Sequence, residues 1–299
     1  MRGVWTALVT PFNSSGELDL AAFRKILIDQ KEAKVAGVIP CGTTGESPTL
    51  TVDEKKTLIR TALDTLKGSG VKVIAGTGSN NTSDTVELSR WASDQGVDGL
   101  LVVMPYYNKP TAAGQIAHFT SVADAVRCPI MLYNVPGRTG LGMTAETIAQ
   151  LAAHPRIRML KEATANVAFT SEILDALATS GRELMIFSGD DACFLPLLSV
   201  GAVGVVSVAS NLFPRGMVAI QRAYESGDVR EAARLQSLYY PLFRDLFVES
   251  NPGPIKAAMA WMGFGDERMR LPMAAMLPAG RRKLEESLLR CRLEKGKPA

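Results

Sequence analysis

Residues 156–164 read RIRMLKEAT, a short apolar run that ends in a lysine, a glutamate and a threonine. Strand side chains alternate between two faces, so Lys161 shares a face with Met159 and Ile157, and Leu160 points to the other side. Seven more runs rich in Val, Ile and Leu are built alike. They are GVWTALVTPF (3–12), VAGVIPCGTTGE (35–46), VKVIAGTG (71–78), GLLVVMPYYN (99–108), PIMLYNVPGR (129–138), LMIFSGDD (184–191) and GAVGVVSVASN (201–211). Between them, segments such as DLAAFRKILIDQKEA (19–33), TVDEKKTLIRTALDTL (51–66) and SDTVELSRWASDQ (83–95) place apolar residues at helical intervals. Strand–helix alternation of this kind makes βαβ units and a parallel sheet. Eight strands is the number at which such a sheet closes as an α/β fold of the (β/α)8 TIM-barrel type. A doubly wound open sheet is the competing topology, but the GxGxxG turn that would favour it after the first strand is missing.

The last seventy or so residues read as helical throughout: DVREAARLQSLYYPLFRDLF (228–247), GPIKAAMAWMGF (253–264) and AGRRKLEESLLRCRLE (279–294). The sequence therefore predicts a barrel over 1–224 and a C-terminal helical appendage over 225–299, packed on the barrel and not folding alone. Most of the strand runs end in glycine, proline or polar residues. In a barrel this gathers GTTGE, GTGSNN, PYYN, YNVPGR, KEAT, SGDD and SVASN at the C-terminal rim, where active sites of this architecture form.

With 299 residues, 46% of them hydrophobic and 21% charged, the composition is that of a soluble globular protein. The net charge of +3 is small. Its one basic concentration, near the C-terminus, is interleaved with acids, which reads as a solvated helix and not as a nucleic-acid patch. No run is long enough to span a bilayer. The apolar N-terminus is short, rich in β-formers and stopped by Pro11, as befits a first strand and not a signal peptide. Four widely spaced cysteines, Cys41, Cys128, Cys193 and Cys291, lack zinc-site spacing and read as reduced thiols of a cytoplasmic protein.

His118 and His154 are the only histidines, and neither has a second ligand at metal spacing. Metal-assisted hydrolysis and a Ser–His–Asp triad are therefore poorly supported, and no cofactor or metal is expected. Electrophile handling falls to lysine, tyrosine, threonine and backbone N–H groups. A lysine moved into apolar surroundings tends to lose its proton and can then attack a carbonyl carbon. If the face of Lys161 is the barrel interior, its amine can condense with a ketone, and the iminium becomes an electron sink. An ordinary rim pair of Lys161 with Glu162 is the alternative. Tyr133, one strand earlier and on the face of Met131, lies within phenol reach of that amine, since adjacent strands are about 4.8 Å apart. It is either a proton shuttle or an amphipathic rim residue. Arg138 offers a planar fork for a carboxylate, or is a surface arginine. The loop CGTTGES can form an anion nest from successive N–H groups and threonine hydroxyls. Tyr106 and Tyr107 stand in tandem and could serve packing or a subunit contact.

GTTGE, PYYN, YNVPGRTG and KEAT, in this order and spacing, resemble the pyruvate-dependent class I aldolase family of dihydrodipicolinate synthases and N-acetylneuraminate lyases. The resemblance runs from TALVTPF to the C-terminal helices. It implies a lyase in which Lys161 forms a Schiff base with pyruvate while Tyr133, Thr43 and Tyr107 form a proton relay, Tyr107 reaching in from a neighbouring subunit. It also implies that the backbone around Thr43 and Thr44 holds the pyruvate carboxylate and that Gly189 and Val206 line the pocket. Arg138 would hold the carboxylate of a second substrate, L-aspartate 4-semialdehyde. That arginine favours the dihydrodipicolinate synthase branch, on the lysine and diaminopimelate route, over sialic-acid or sugar-acid aldolases. A catalytically silent 2-oxo-acid-binding barrel would lack a member of the relay set, and none is missing. The same resemblance implies a homotetramer built from tight dimers, with no nucleic acid or membrane partner. At the lysine-feedback site of some relatives, Ser47, Asn80 and Tyr106 match. Asp84 replaces a glutamate, Pro48 an alanine, and Val52 and Lys55 replace histidines. Feedback by L-lysine is therefore expected to be weak or absent.

Overall fold

The computed structural model describes residues 1–296, so the last three residues of the appendage expected over 225–299 lie outside the described residues. In chain order the elements are β1 (Gly3–Ala7), α1 (Leu20–Ala33), β2 (Gly37–Ile39), α2 (Val52–Leu66), β3 (Lys72–Gly76), α3 (Thr82–Asp94), β4 (Gly99–Val103) and α4 (Ala112–Asp124). Then come β5 (Ile130–Asn134), α5 (Pro136–Thr139), α6 (Ala145–Leu151), β6 (Ile157–Glu162), α7 (Val167–Thr179), β7 (Met185–Ser188), α8 (Phe194–Ser199) and β8 (Gly204–Ser207). Four helices close the chain: α9 (Pro214–Glu225), α10 (Val229–Asp245), α11 (Gly253–Trp261) and α12 (Pro278–Arg290). The strand order is the sequence order, β1 to β8, and the sheet closes as a barrel. Each of the eight apolar runs supplies one strand, and the three C-terminal segments form α10, α11 and α12.

Helices start where a polar side chain can accept an otherwise unpaired first-turn N–H. Asp19, Thr51, Asn81, Thr111, Thr144 and Asn166 do this for α1, α2, α3, α4, α6 and α7. At Thr51 the exchange is reciprocal, because the Glu54 carboxylate accepts the Thr51 N–H in turn. The rim loops after β1, β2, β3, β4 and β6 thus end at a capped helix start.

By packing, the chain groups into two units, one of residues 1, 3–72 and 207–299, the other of residues 2 and 73–206. In the first unit β1 pairs with β2 in parallel, Trp5 opposite Gly37. A Cβ on Gly37 would collide with the Trp5 ring, so the buried indole requires a glycine there. The C-terminal helices are tied together at Asp245, which is fully buried on α10. Burial alone would raise its pKa, but Arg244, Ser287 and Lys283 hold the carboxyl down at about 2.

In the second unit β5, β6 and β7 are in parallel register, Met131 opposite Met159 opposite Met185, and Tyr133 opposite Lys161 opposite Phe187. Ile157, Met159 and Leu160 are fully buried, and Arg158, near the start of β6 on the face of Leu160, is exposed. His118, on α4, is a core histidine: burial depresses its imidazole to about 4, and its Nδ1 lies 2.9 Å from Thr82 Oγ1. His154, in the turn after α6, meets Asp124 at 3.1 Å.

Candidate active site

Lys161 and Tyr133 stand side by side, each one residue before the end of its strand, and strand alternation with parallel register is what brings them together. The Lys161 Nζ lies 4.2 Å from the centroid of the Tyr133 ring, and both side chains are 5% exposed. No hydrogen bond or ion pair joins this amine to any described residue. The rim pair with Glu162 does not form. Glu162 takes the other face of β6, where it is 1% exposed, accepting from Asn134 Nδ2 at 2.8 Å and from the Thr164 N–H at 2.6 Å. Burial pushes its carboxyl above the usual carboxylate range, opposed by those hydrogen bonds. A nearly buried amine with an aromatic ring on one side and no counter-ion can act as a nucleophile toward a small carbonyl compound.

The Asn134–Glu162 contact also sets the neighbouring rim loop. Asn134 Oδ1 accepts the Met143 N–H at 3.0 Å and so closes residues 135–143 over the end of β5. This loop carries α5, which opens with Pro136 at its first position and ends in the left-handed region at Gly140. Arg138 sits on α5 with its side chain exposed. The N–H of Tyr107 donates to Thr139 O at 3.4 Å, and Tyr107 itself adopts a left-handed φ of 71° with 88% of its surface exposed. A tyrosine held in that backbone region with its ring in solvent is costly in both conformation and exposure. Gly189, just past β7, donates to Glu162 O at 2.6 Å. A Cβ on it would lie 2.5 Å from Ala163 Cβ, so only glycine fits. Val206 is fully buried on β8.

In the other unit the loop after β2 is a tight turn. Gly42 O accepts from Gly45 N and Thr43 O from Glu46 N, both at 3.1 Å. Thr43 is half-buried and Thr44 is 2% exposed. Thr10 Oγ1 donates to Gly45 O at 2.7 Å, and Asn251 Nδ2 donates to Thr44 Oγ1 at 3.1 Å. Glu46, in the left-handed region at φ 56°, accepts from Lys256 Nζ at 2.6 Å and from the Arg270 N–H at 3.0 Å. Cys41, which precedes this loop, is no nucleophile: burial pushes its thiol up to about 12.

Of the residues matched to the feedback site, Ser47 is half-buried in a short 3-10 turn and Lys55 lies in the first half of α2. Asn80 is half-buried, and its carbonyl accepts from Asn108 Nδ2 at 2.8 Å. Asp84 is exposed in the first turn of α3, and Tyr106 is half-buried. Sequence reasoning missed Asn134, Glu46, Asn251 and Lys256. Strand alternation already separates Glu162 from Lys161, so a partner for that glutamate on the opposite face could have been sought. Nothing local in the sequence marks the other pairings.

A model described as the dihydrodipicolinate synthetase family matches residues 1–290. The 4-hydroxy-tetrahydrodipicolinate synthase of Leptospira biflexa serovar Patoc is 46% identical over 275 residues, 92% of either chain. Among solved structures, the 4-hydroxy-tetrahydrodipicolinate synthase of Methylacidiphilum fumariolicum SolV superposes with a TM-score of 0.94 at 43% identity, covering 98% of this chain and 96% of that one. The corresponding enzyme of Cyanidioschyzon merolae, solved with lysine bound, has a TM-score of 0.94 at 40% identity and covers 98% of this chain and 99% of its own.

Proposed function

The chain belongs to the dihydrodipicolinate synthetase family, and from that premise we propose that it is a lyase condensing pyruvate with L-aspartate 4-semialdehyde, the reaction of a 4-hydroxy-tetrahydrodipicolinate synthase. The observation that carries the mechanism is Lys161, a nearly buried amine beside the Tyr133 ring with no acidic partner among the described residues. The neutral amine adds to C2 of pyruvate, and the carbinolamine loses water to give an imine. Loss of a C3 proton from the protonated imine gives an enamine, whose C3 attacks the aldehyde carbon of the second substrate. The resulting alkoxide takes up a proton. The amino group of the semialdehyde part then displaces Lys161 from C2, which closes the ring and frees the enzyme amine. Over the cycle one water and one proton are released.

Tyr133, Thr43 and Tyr107 move the protons of carbinolamine formation, dehydration and aldol addition. Thr44 and the N–H groups beside it hold the pyruvate carboxylate, as an anion nest would. Arg138 meets the carboxylate of the semialdehyde with a bidentate fork, and Gly189 and Val206 bound the pocket. An uncharged sugar aldehyde would not need Arg138, so the sibling aldolases are not favoured. The protein works as a homotetramer of tight dimers. What supports this is Tyr107, whose strained backbone and 88% exposed ring suit a residue that completes a neighbour's site. Its four free thiols favour a reducing compartment, the cytoplasm.

The test is product formation from pyruvate and L-aspartate 4-semialdehyde, coupled to reduction of the product, with no metal added and a chelator present. Turnover supports the substrate pair. No turnover from folded protein would move the assignment to a sibling aldolase. L-Lysine added to the same assay is expected to inhibit weakly or not at all, because Lys55 and Val52 stand where sensitive relatives carry histidines and a cation there repels the ligand's ammonium. Inhibition at low micromolar lysine would contradict this.

A further inference from the structure

We propose that Asn251 is a positioning residue for pyruvate: its side-chain amide fixes the Thr44 hydroxyl as a hydrogen-bond donor to the pyruvate carboxylate. The inference rests on the reading that Thr44 holds this carboxylate. A threonine hydroxyl has one proton to give and two lone pairs to receive. Asn251 Nδ2 can only donate, and it donates to Thr44 Oγ1 at 3.1 Å. The hydroxyl proton is therefore not spent on Asn251 and remains for an acceptor. At 2% exposure Thr44 has little bulk water to satisfy it, so a bound carboxylate oxygen is the partner its environment favours.

The segment that carries Asn251 is itself anchored to the same loop. Five residues on, Lys256 reaches from the first half of α11 to Glu46 Oε1 at 2.6 Å and to Thr10 O at 2.9 Å. The Thr10 hydroxyl in turn holds Gly45 O at 2.7 Å, and the Arg270 N–H takes the second oxygen of Glu46. The C-terminal helices thus grip the loop of residues 44–46 at two points, Asn251 on Thr44 and Lys256 on Glu46. The first sets the direction of one hydroxyl proton, and the second fixes where the loop sits.

The experiment is a double-mutant cycle read as KM for each substrate and kcat. Thr44→Val and Asn251→Ala should each raise KM for pyruvate about tenfold, the worth of one hydrogen bond to a charged group. For Asn251→Ala, which touches no substrate, turnover at saturating pyruvate and KM for the semialdehyde should stay near wild type. Asn251→Asp, nearly isosteric, should raise pyruvate KM further, since its carboxylate takes the Thr44 proton and repels the substrate anion. On the Thr44→Val background Asn251→Ala should add nothing, whereas on Thr44→Ser, which keeps the hydroxyl, it should keep its full effect. If Thr44→Val raises pyruvate KM and Asn251→Ala multiplies it again by its own factor, the proposal fails while Thr44 keeps its role. If Thr44→Val leaves pyruvate KM unchanged, the reading of Thr44 falls and the proposal with it.

Discussion

Lys161 and Lys256 are both buried, at 5% and 2% exposure, and both lie over an aromatic ring, 4.2 Å from Tyr133 and 4.4 Å from Phe12. Their polar surroundings differ completely. Lys256 has a carboxylate at 2.6 Å and a carbonyl at 2.9 Å, and even so burial draws its ammonium below the ordinary lysine range. Lys161 has neither kind of partner among the described residues. A lysine that a fold needs for its own stability is given a counter-charge, because an isolated buried charge is expensive. A buried lysine without one is a candidate for chemistry, above all near the end of a barrel strand, and that is the role proposed for Lys161.

Replacing each lysine by methionine should separate the two roles. Lys161→Met should lower turnover by at least ~10⁴-fold, as loss of a covalent nucleophile does, while leaving the urea midpoint unchanged or higher. Lys256→Met should do the reverse in kind. It strands Glu46 in the interior and should cost about 3–5 kcal/mol in urea unfolding, and Glu46→Gln in the same chain should recover part of that. A Lys161→Met protein that unfolds as readily as Lys256→Met would erase the contrast. If Tyr107 serves the proposed relay, Tyr107→Phe should reduce kcat about 10²-fold with the assembly unchanged by size-exclusion chromatography. Unchanged kcat would remove Tyr107 from the relay.

The smallest effect belongs to an ion pair in the unit of Lys256. The Arg270 guanidinium holds the Glu54 carboxyl at about 2, well below its ordinary 4.5. A depressed carboxyl contributes stability that is fully present above its unfolded pKa and is lost as pH falls through the folded one. Glu54→Gln should therefore cost about 1 kcal/mol at neutral pH. The gap from wild type should close between pH 4.5 and about 2. A gap that persists at pH 2 would mean that the pair is not its source.

The difference between the two lysines is also a difference in what the sequence can reveal. Lys161 and Tyr133 belong to consecutive strands of one sheet, so a period of two and a parallel register are enough to place them on one face. Glu162 is put on the opposite face by the same rule, and Asn134 meets it because the two are register partners. The eight strands and their rim loops were legible for that reason. Lys256 and Glu46 are 210 residues apart and Asn251 and Thr44 are 207 apart. No local period links such pairs, and a lysine in GPIKAAMAW looks like the polar side of an amphipathic helix. The C-terminal helices were visible as helices, but their grip on the loop after β2 was not.

The central claim is that Lys161, and not the other buried lysine, carries the substrate. The most direct measurement is borohydride reduction of the wild-type enzyme in the presence of pyruvate, followed by peptide mapping by mass spectrometry. The account predicts a single reduced pyruvate adduct, on the peptide containing Lys161, and none in the Lys161→Met protein. An adduct on Lys256, or one that survives loss of Lys161, would contradict it.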